Sequence, residues 1–384
     1  MSKECSDPQS MEGAARPRLV LVVESTSRGN GGIARVARLL AWVAEAEQRE
    51  GRLRAELVVL SAADPDQGWR FPIHLAHGSR ARFVAQVHRS ALWSTHVLYD
   101  FPNMARAHSP VLRLLRPYMT GLMGVEIWPG GHHPRRRAAE RARSLWAISA
   151  FTRDVAARTL AWHRDIPVCW LATEEDDAPE AAANTSRANV AIVARLEMTH
   201  GGKGHRELIE AWPSVVQRVP GARLLVVGTG GGESELRAMA ACSSERDSIE
   251  FRGYVPEEEM PALWAEASVL AMPSRREGFG LAYIEAMRHS LPVVASVHDA
   301  GREVNIHGET GFNVNLEDPT DLPNRLCELL LNPELRARMG ENGERRWYQH
   351  FRRSCFISRF RPILHDFLKP GHRQPPGAGE GEAE

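Results

Sequence analysis

The sequence predicts an α/β fold in which parallel strands alternate with helices, divided into two domains. Short apolar runs suited to buried strands alternate with amphipathic patterns of helical period along most of the 384 residues. Such alternation is typical of parallel sheets that carry helices on both faces. The length suits two domains, and the acidic stretch 173–187, rich in Ala, Pro, Asn and Ser, is the best linker in the chain.

The first half of the chain opens with a strand, a glycine-bearing loop and a helix. We predict strands at 18–24, 55–61, 95–99 and 144–149, a strand within 117–128 that ends at GVEIW, and helices at 33–48, 80–93 and from 135. Gly31 and Gly32 end the first loop. This unit lacks the G-x-G-x-x-G fingerprint, so it does not indicate a bound NAD.

The second half repeats the alternation. We predict strands at 189–196, 223–228, 249–254 and 292–296, a short strand reaching 315, a helix at 256–266, and one long amphipathic helix at 345–368. The segments are therefore a disordered lead (1–16), a Rossmann-like domain (17–172), a linker (173–187), a second Rossmann-like domain (188–344), a terminal helical segment (345–369) and a disordered tail (370–384).

Composition limits the classes of function. The chain has 48 Lys and Arg against 48 Asp and Glu, and this zero net charge argues against non-specific nucleic-acid binding. Five scattered cysteines form no CxxC pair, so neither a disulfide framework nor a zinc site is indicated. No apolar run approaches a membrane span, and the polar N-terminus lacks a signal-peptide core. We expect a cytoplasmic protein.

The stretch Met272–Ser296 organises the second half. It reads as a strand end, a glycine loop, a helix from Glu277 to about residue 289, and another strand. Glycines at such a helix start let a phosphate approach the free backbone N–H groups closely. On one helix, Glu277 and Glu285 would be separated by about 12 Å along the axis. That is too far for a glycosidase pair, for which about 5–9 Å is expected, but it suits one extended ligand held at two ends.

Two cations flank the first strand-to-helix corner of the second half. Arg195 lies at the end of the predicted strand, and Lys203 lies at the start of the next helix. Paired cations at such a corner can neutralise a diphosphate through charge-assisted hydrogen bonds. We therefore predict an anion clamp there.

These motifs carry a family resemblance. EGFGLAYIE, followed by EAMRHSLPVVAS, resembles the E-x7-E motif of retaining, nucleotide-sugar-dependent glycosyltransferases of family four, which have the GT-B fold. The R-L…K-G pattern around Arg195 and Lys203 and the loop at Gly31 and Gly32 are similar to that family too. The resemblance spans residues 18–368 and is strongest over 190–315.

The resemblance implies two Rossmann-like domains that face each other across a cleft. The first would take the acceptor, the second would bind the donor, and the terminal helix would pack back on the first. Arg195, Lys203 and the backbone of Gly280 and Leu281 would hold the donor diphosphate, Gly31 and Gly32 would face it, Glu277 would hold the donor sugar, and Glu285 would hold the ribose. Transfer would retain the anomeric configuration and need no metal or other cofactor.

One position departs from the family pattern. MGVEIWPGG is similar to the family's H-G-x-E-x-W stretch, but Met123 stands where a His is expected. Because Met cannot transfer a proton, either another group serves, with Glu126 the nearest candidate for a catalytic role beside Glu277, or the acceptor geometry differs, or activity is weak. A weakly active or inactive partner subunit that binds a sugar nucleotide is the alternative, while an epimerase or a purely structural α/β protein fits the motifs less well.

The expected partners follow from this interpretation. The donor would be a UDP- or GDP-linked sugar, and the acceptor a sugar, a lipid-linked molecule or another small molecule; no nucleic acid is expected. The basic stretch 135–143 could attract anionic lipid headgroups, but a solvated charged face is the simpler explanation. Weak contact with the inner face of a membrane therefore stays open.

Overall fold

The structure is a computed structural model that describes residues 16–29, 31–64, 67–124, 126–128, 133–160, 165–179, 187–197 and 202–369. The predicted tail, and the predicted lead apart from Arg16, lie outside these residues. The described chain forms two six-stranded sheets with helices, and every strand pair is parallel. The α/β fold class predicted from the sequence is confirmed.

The first sheet has the strand order β3-β2-β1-β4-β5-β6. Its elements are β1 (Arg18–Val23), α1 (Gly31–Arg49), β2 (Arg54–Val59), β3 (Ile73–Leu75), α2 (Arg80–Trp93), β4 (His96–Tyr99), α3 (Pro110–Leu115), β5 (Tyr118–Leu122), α4 (His133–Glu140), β6 (Ser144–Ala147) and α5 (Ala150–Leu160). The central strand β1 is buried from its second residue onward. Burial on both faces is what a parallel strand between two helical layers requires.

The second sheet has the order β12-β11-β10-β7-β8-β9. Its elements are β7 (Asn189–Val193), α6 (His205–Arg218), β8 (Arg223–Val227), α7 (Glu233–Ala241), β9 (Ile249–Gly253), α8 (Met260–Glu266), β10 (Val269–Ala271), α9 (Leu281–Arg288), β11 (Val293–Ser296), α10 (Gly301–Val304), β12 (Gly311–Val314) and α11 (Asp321–Leu331). Two further helices complete the chain: α12 (Pro333–His350) and α13 (Arg353–Leu368).

Each sheet reverses its winding beside its first strand. β1 lies between β2 and β4, and β7 lies between β8 and β10. Loops that leave the two strands at such a reversal open a crevice at their carboxyl ends, where ligands bind in sheets of this kind. Gly31 and Gly32 follow β1, Arg195 follows β7, and Glu277 follows β10. The topology therefore places these predicted site residues at the two crevices.

Several predicted boundaries were wrong. The strand expected to end at GVEIW ends earlier, at Leu122, because Gly124 has a φ of +110° and the next described residues form a turn. The helix expected from Glu277 begins at Leu281, and the helix expected from residue 256 begins at Met260. β3 was not predicted, because three residues carry too little pattern.

The long helix predicted at 345–368 is two helices, α12 and α13, broken at Phe351. Phe351 is fully buried, and its carbonyl accepts a hydrogen bond of 2.8 Å from the backbone N–H of Thr173. Beyond the break, Phe356 and Phe360 lie against Trp146 of the first sheet. None of the described helices is long and apolar enough to cross a membrane.

The described part of the predicted linker is held by arginines. Glu174 pairs with Arg38 of α1, Glu175 with Arg288 of α9, and Asp176 with Arg353 of α13. The acidic residues of this stretch therefore make contacts to both halves of the chain. The predicted domain boundaries themselves stay predictions.

Candidate active site

A lysine–glutamate pair marks the crevice of the second sheet. Lys203 lies in the turn before α6, and Glu277 lies in the loop after β10. Lys203 Nζ donates to Glu277 Oε2 over 2.6 Å, and the two side chains are 27% and 16% exposed. Burial lowers the pKa of Lys203, but the charge and hydrogen bond of Glu277, together with the charges of Asp299 and Glu197, outweigh burial and raise the pKa. The ammonium group is therefore charged at neutral pH and faces the crevice with its carboxylate partner.

Asp299, which the sequence did not single out, holds the Glu277 loop in place. Its carboxylate accepts hydrogen bonds from the Glu277 N–H at 2.8 Å, the Gly301 N–H at 2.9 Å and the Ser274 hydroxyl. Burial raises the pKa of Asp299 to about 7. The sequence feature that could have identified Asp299 is its position just past β11, at the carboxyl edge of the sheet, where ligands bind in sheets of this kind.

The Glu277 loop rests on the first half of the chain. A side-chain carbon on Gly278 would lie 2.5 Å from the carbonyl oxygen of Met123, so only glycine permits this approach. Thr152 Oγ1 also donates to the Gly278 carbonyl over 3.2 Å. The methyl end of Met123 folds back onto Gly121 of β5. The residue at the expected His position thus brings its backbone to the crevice and turns its side chain into the sheet.

Glu126 lies close to this junction and is only 2% exposed. Its Oε1 accepts the backbone N–H groups of Met123 and Gly124. Its Oε2 is buried and has no hydrogen-bond partner within the described residues. Burial raises the pKa of Glu126 to about 7, so both protonation states are available at neutral pH. A carboxyl group of this kind can accept or donate a proton.

The start of α9 is shaped for an anion. Gly280 precedes the helix with a φ of +96°, and a side-chain carbon there would lie 2.1 Å from Tyr283 Cδ2, so the position requires glycine. The first N–H groups of any helix lack partners within it and carry partial positive charge. Leu281, the first helical residue, meets the first half, since a carbon on Gly32 would lie 3.1 Å from its Cδ1. Gly31 and Gly32, which were predicted to end a loop, are instead the first residues of α1, and Gly32 lies against the start of α9.

Glu285 lies one turn into α9 and pairs with Arg35 of α1. The expected 12 Å rise between Glu277 and Glu285 was wrong, because Glu277 precedes the helix and only Glu285 lies on it. Arg35 was missed in the sequence. It lies three residues after Gly32, and residues at that spacing share one side of a helix, which was the available signal.

The side chain of Arg195 is mostly exposed to solvent. The exposed fraction is 73%, and the ion pair of Arg195 with Glu197 measures 3.3 Å. The charge of Glu197 also contributes to the raised pKa of Lys203, so both predicted clamp cations interact with the same carboxylate. In the part of the chain that the structure describes, no three His, Cys, Asp or Glu side chains are grouped in a way that could hold a metal ion.

Sequence comparison finds a family model that matches the second half of the chain. The model of glycosyl transferases group 1 matches residues 173–346. A GDP-mannose-dependent monoacylated alpha-(1-6)-phosphatidylinositol monomannoside mannosyltransferase of Corynebacterium glutamicum is 36% identical over 237 residues, which are 58% of this chain and 61% of that protein. N-acetyl-alpha-D-glucosaminyl L-malate synthase of Bacillus anthracis is 27% identical over 311 residues, 78% and 80% of the two chains. The chain spans less than two thirds of the length of the mannosyltransferases it matches.

Solved structures show the same fold. The crystal structure of Anabaena HepE in complex with UDP and glucose superposes with a TM-score of 0.74 at 18% identity, covering 91% of this chain and all of that one. A sucrose-phosphate synthase from Thermosynechococcus elongatus gives a TM-score of 0.72 at 17% identity. The architecture is therefore GT-B.

Proposed function

We propose that this chain, whose second half matches the group 1 glycosyl transferases, transfers a sugar from a UDP- or GDP-linked donor to an acceptor. The observation that carries the proposal is the Lys203–Glu277 pair beside the glycine-led start of α9. A fixed cation, a carboxylate and free helix N–H groups suit the diphosphate and sugar of one donor. The names of the relatives, one GDP-mannose-dependent and one solved with UDP, support a nucleotide-sugar donor.

Each residue of the crevice then has a role. Lys203, joined by Arg195 when its exposed side chain swings inward, neutralises the diphosphate as the bond to the sugar breaks. The backbone N–H groups of Gly280 and Leu281 share that charge, and Gly31 and Gly32 face it from the start of α1. Glu277 accepts hydrogen bonds from hydroxyls of the donor sugar, and Glu285 accepts them from the ribose.

The proposed reaction retains the anomeric configuration and uses no metal. The acceptor oxygen attacks the anomeric carbon from the face that the diphosphate leaves, so one carbon–oxygen bond forms as the other breaks. In this proposal Glu126 takes the acceptor proton, and its pKa near 7 and its unpartnered Oε2 support the role of general base. The match of the second half to the group 1 family supports retention.

Met123 favours one alternative. Its side chain lies on Gly121, so no imidazole fills the place where the family presents a His. A chain that binds the sugar nucleotide but transfers slowly, as a partner subunit, has the same crevice. Assays that compare the rate of sugar transfer to the acceptor with the rate of donor hydrolysis separate this alternative from an active enzyme.

We further propose a lipid-linked acceptor and a cytoplasmic protein that contacts a membrane surface. On α3, Val111, Leu114 and Leu115 are 65%, 87% and 52% exposed. A cavity of about 510 Å³ nearby is lined by Arg106, Arg137 and Arg141, none of which has an acidic partner among the described residues. Exposed leucines beside unpaired arginines suit a surface of anionic lipid.

The donor proposal predicts nucleotide binding that depends on Lys203. UDP or GDP should raise the melting temperature without added metal, as expected when a ligand binds only the folded state. Lys203→Ala should weaken binding of that nucleoside diphosphate by roughly 1.5–3 kcal/mol, typical of a charge-assisted hydrogen bond. Thermal unfolding measures the shift in melting temperature, and calorimetric titration measures the affinity. Lys369→Ala, which removes a cation that is 66% exposed at the end of α13, is the control. Unchanged affinity in Lys203→Ala would refute the clamp.

A further inference from the structure

One side of α1 and its preceding loop lies against the second half of the chain at three points. A side-chain carbon on Gly29 would collide with the hydroxyl of Tyr254, which follows β9. Gly32 lies over Leu281, and Arg35 reaches Glu285 on α9. The spacing of three residues keeps these contacts on neighbouring positions of the turn and helix. Along the chain, Gly29 and Gly32 thus allow the close approach, and Arg35 follows at the position opposite Glu285.

Arg35 sits among three carboxylates that come from three separate segments. Its guanidinium pairs with Glu285 of α9, lies 3.6 Å from Glu174 in the predicted linker and 3.9 Å from Glu257 before α8. The side chain of Arg35 is 17% exposed, and those of the carboxylates are between 12% and 27% exposed. Such a group of negative charges repels internally unless a cation lies among them. Arg35 fills that place.

The ion pair uses only one oxygen of Glu285. Arg35 Nη1 donates to Oε1, and no hydrogen bond in the described part of the chain reaches Oε2. A carboxylate held by a planar guanidinium at one oxygen has few rotamers left, and its second oxygen points in a defined direction. A hydroxyl group arriving at Oε2 meets an acceptor that is already oriented.

We infer that Arg35 is a positioning residue that orients Glu285 to accept a hydrogen bond from a ribose hydroxyl of the donor nucleotide. This inference rests on the proposed function, because it assumes that a nucleotide occupies the crevice. It adds a contribution from the first half of the chain to recognition of the nucleotide by the second. Arg35 touches no reacting atom and acts through Glu285.

The test compares a ribonucleotide with its 2′-deoxy and 3′-deoxy analogues. Whichever of UDP and GDP binds the wild-type chain is titrated calorimetrically together with its two analogues. We expect wild type to favour the ribonucleotide over at least one analogue by roughly ten- to a hundredfold, as for a hydrogen bond to a charged acceptor. Glu285→Ala should reduce this ratio to near one. Arg35→Ala should reduce it to within about threefold, and should change nothing further in the Glu285→Ala background.

Matched variants separate positioning from a general structural role. Arg38→Ala removes a neighbouring arginine that also pairs with Glu174 but does not touch Glu285, so it should keep the wild-type ratio. Arg35→Lys keeps the charge without the planar fork and should give an intermediate ratio. If Arg35→Ala fails to fold, Arg35→Lys replaces it in the comparison. A structural role would instead weaken the ribonucleotide and the deoxynucleotides equally.

The outcomes are distinct. If the nucleotide binds and Glu285→Ala loses discrimination while Arg35→Ala and Arg35→Lys keep it, the inference is overturned and the proposed function stands. If wild type binds all analogues equally, Glu285 does not hold the ribose and the inference also fails. If neither UDP nor GDP binds, the proposed function itself fails and takes the inference with it.

Discussion

Glu126 combines deep burial with a titration near neutral pH. Its carboxyl pKa is raised from 4.5 to about 7 because burial penalises the ionised form. An acid whose pKa is higher in the folded chain binds more protons folded than unfolded between these two values. The folded state therefore loses stability as pH rises from about 4.5 to about 7, and the loss is complete above pH 7.

Glu126→Gln should remove this pH dependence. The amide oxygen can still accept the N–H groups of Met123 and Gly124, but it does not ionise. Relative to wild type, the variant should gain up to about 3 kcal/mol of unfolding free energy between pH 4.5 and 7. Thermal unfolding of both proteins across this range measures the difference, and Asp299, which has a similar pKa, contributes equally to both. Parallel curves would show that Glu126 is not buried as an acid.

At single residues, the sequence was informative where a side chain is charged and sits in a motif. It indicated Lys203, Glu277 and Glu285, and the structure brings the first two together. It did not indicate Asp299 or Arg35, because their importance comes from contacts across 22 and 250 positions of sequence. A lone aspartate after a strand, or an arginine in the first turns of a helix, has the same local pattern as a solvated charge.

At the scale of elements, the junction of α1 and α13 depends on one buried carboxylate. Glu47 of α1 is fully buried and accepts hydrogen bonds from Arg52 at 2.7 Å, Arg361 at 2.6 Å and His365 at 2.6 Å. Burial alone would raise the pKa of Glu47, but these hydrogen bonds outweigh it and lower the pKa to about 2. The last helix is therefore held to the first half by charge as well as by its phenylalanines.

Glu47→Ala should destabilise the chain by about 3 kcal/mol, because it leaves two arginines and a histidine without their buried partner. Glu50→Ala is the matched control. Glu50 also pairs with Arg52 and Arg361, but its side chain is 44% exposed, so its loss should be much smaller. Urea unfolding curves measure both. Similar losses for the two variants would mean that burial of Glu47 adds nothing to the junction.

Element boundaries were predictable where local signals agreed with the fold. The helix predicted at 80–93 has those bounds in the structure, where Ser79 caps its first turn. The start of α9 was misplaced because Gly280 adopts a left-handed backbone that composition alone does not reveal. The break at Phe351 was missed because the amphipathic pattern continues through this residue. What distinguishes Phe351 is a contact distant in sequence, since its carbonyl accepts the backbone N–H of Thr173.

At the scale of the whole molecule, both halves of the chain build the crevice. Glu303, which precedes β12, accepts the backbone N–H groups of Ala150 and Phe151 at the start of α5. A carboxylate there also meets the positive end of the helix dipole. The Gly278–Met123 contact and the Arg35–Glu285 pair join the halves on the ligand side. Any ligand that changes these contacts therefore changes how the two sheets meet.

Exposed leucines on the outer surface of the first half predict that the chain binds membranes. Leu114 of α3 is 87% exposed, and Arg116 at the end of α3 bonds the carbonyls of Ala91 and Leu92, so the neighbouring end of α2 adds another exposed leucine. The chain should sediment with vesicles of phosphatidylcholine and phosphatidylglycerol, and less with phosphatidylcholine alone or at high salt. Leu114→Ser should weaken this partition about tenfold or more, since burying a leucine contributes about 1.5–3 kcal/mol.

Leu331→Ser on α11 is the control, because it removes a leucine that is 58% exposed in the second half, and this variant should bind as wild type does. Equal losses in the two variants, or no vesicle binding at all, would exclude α3 as a membrane contact and leave a water-soluble acceptor.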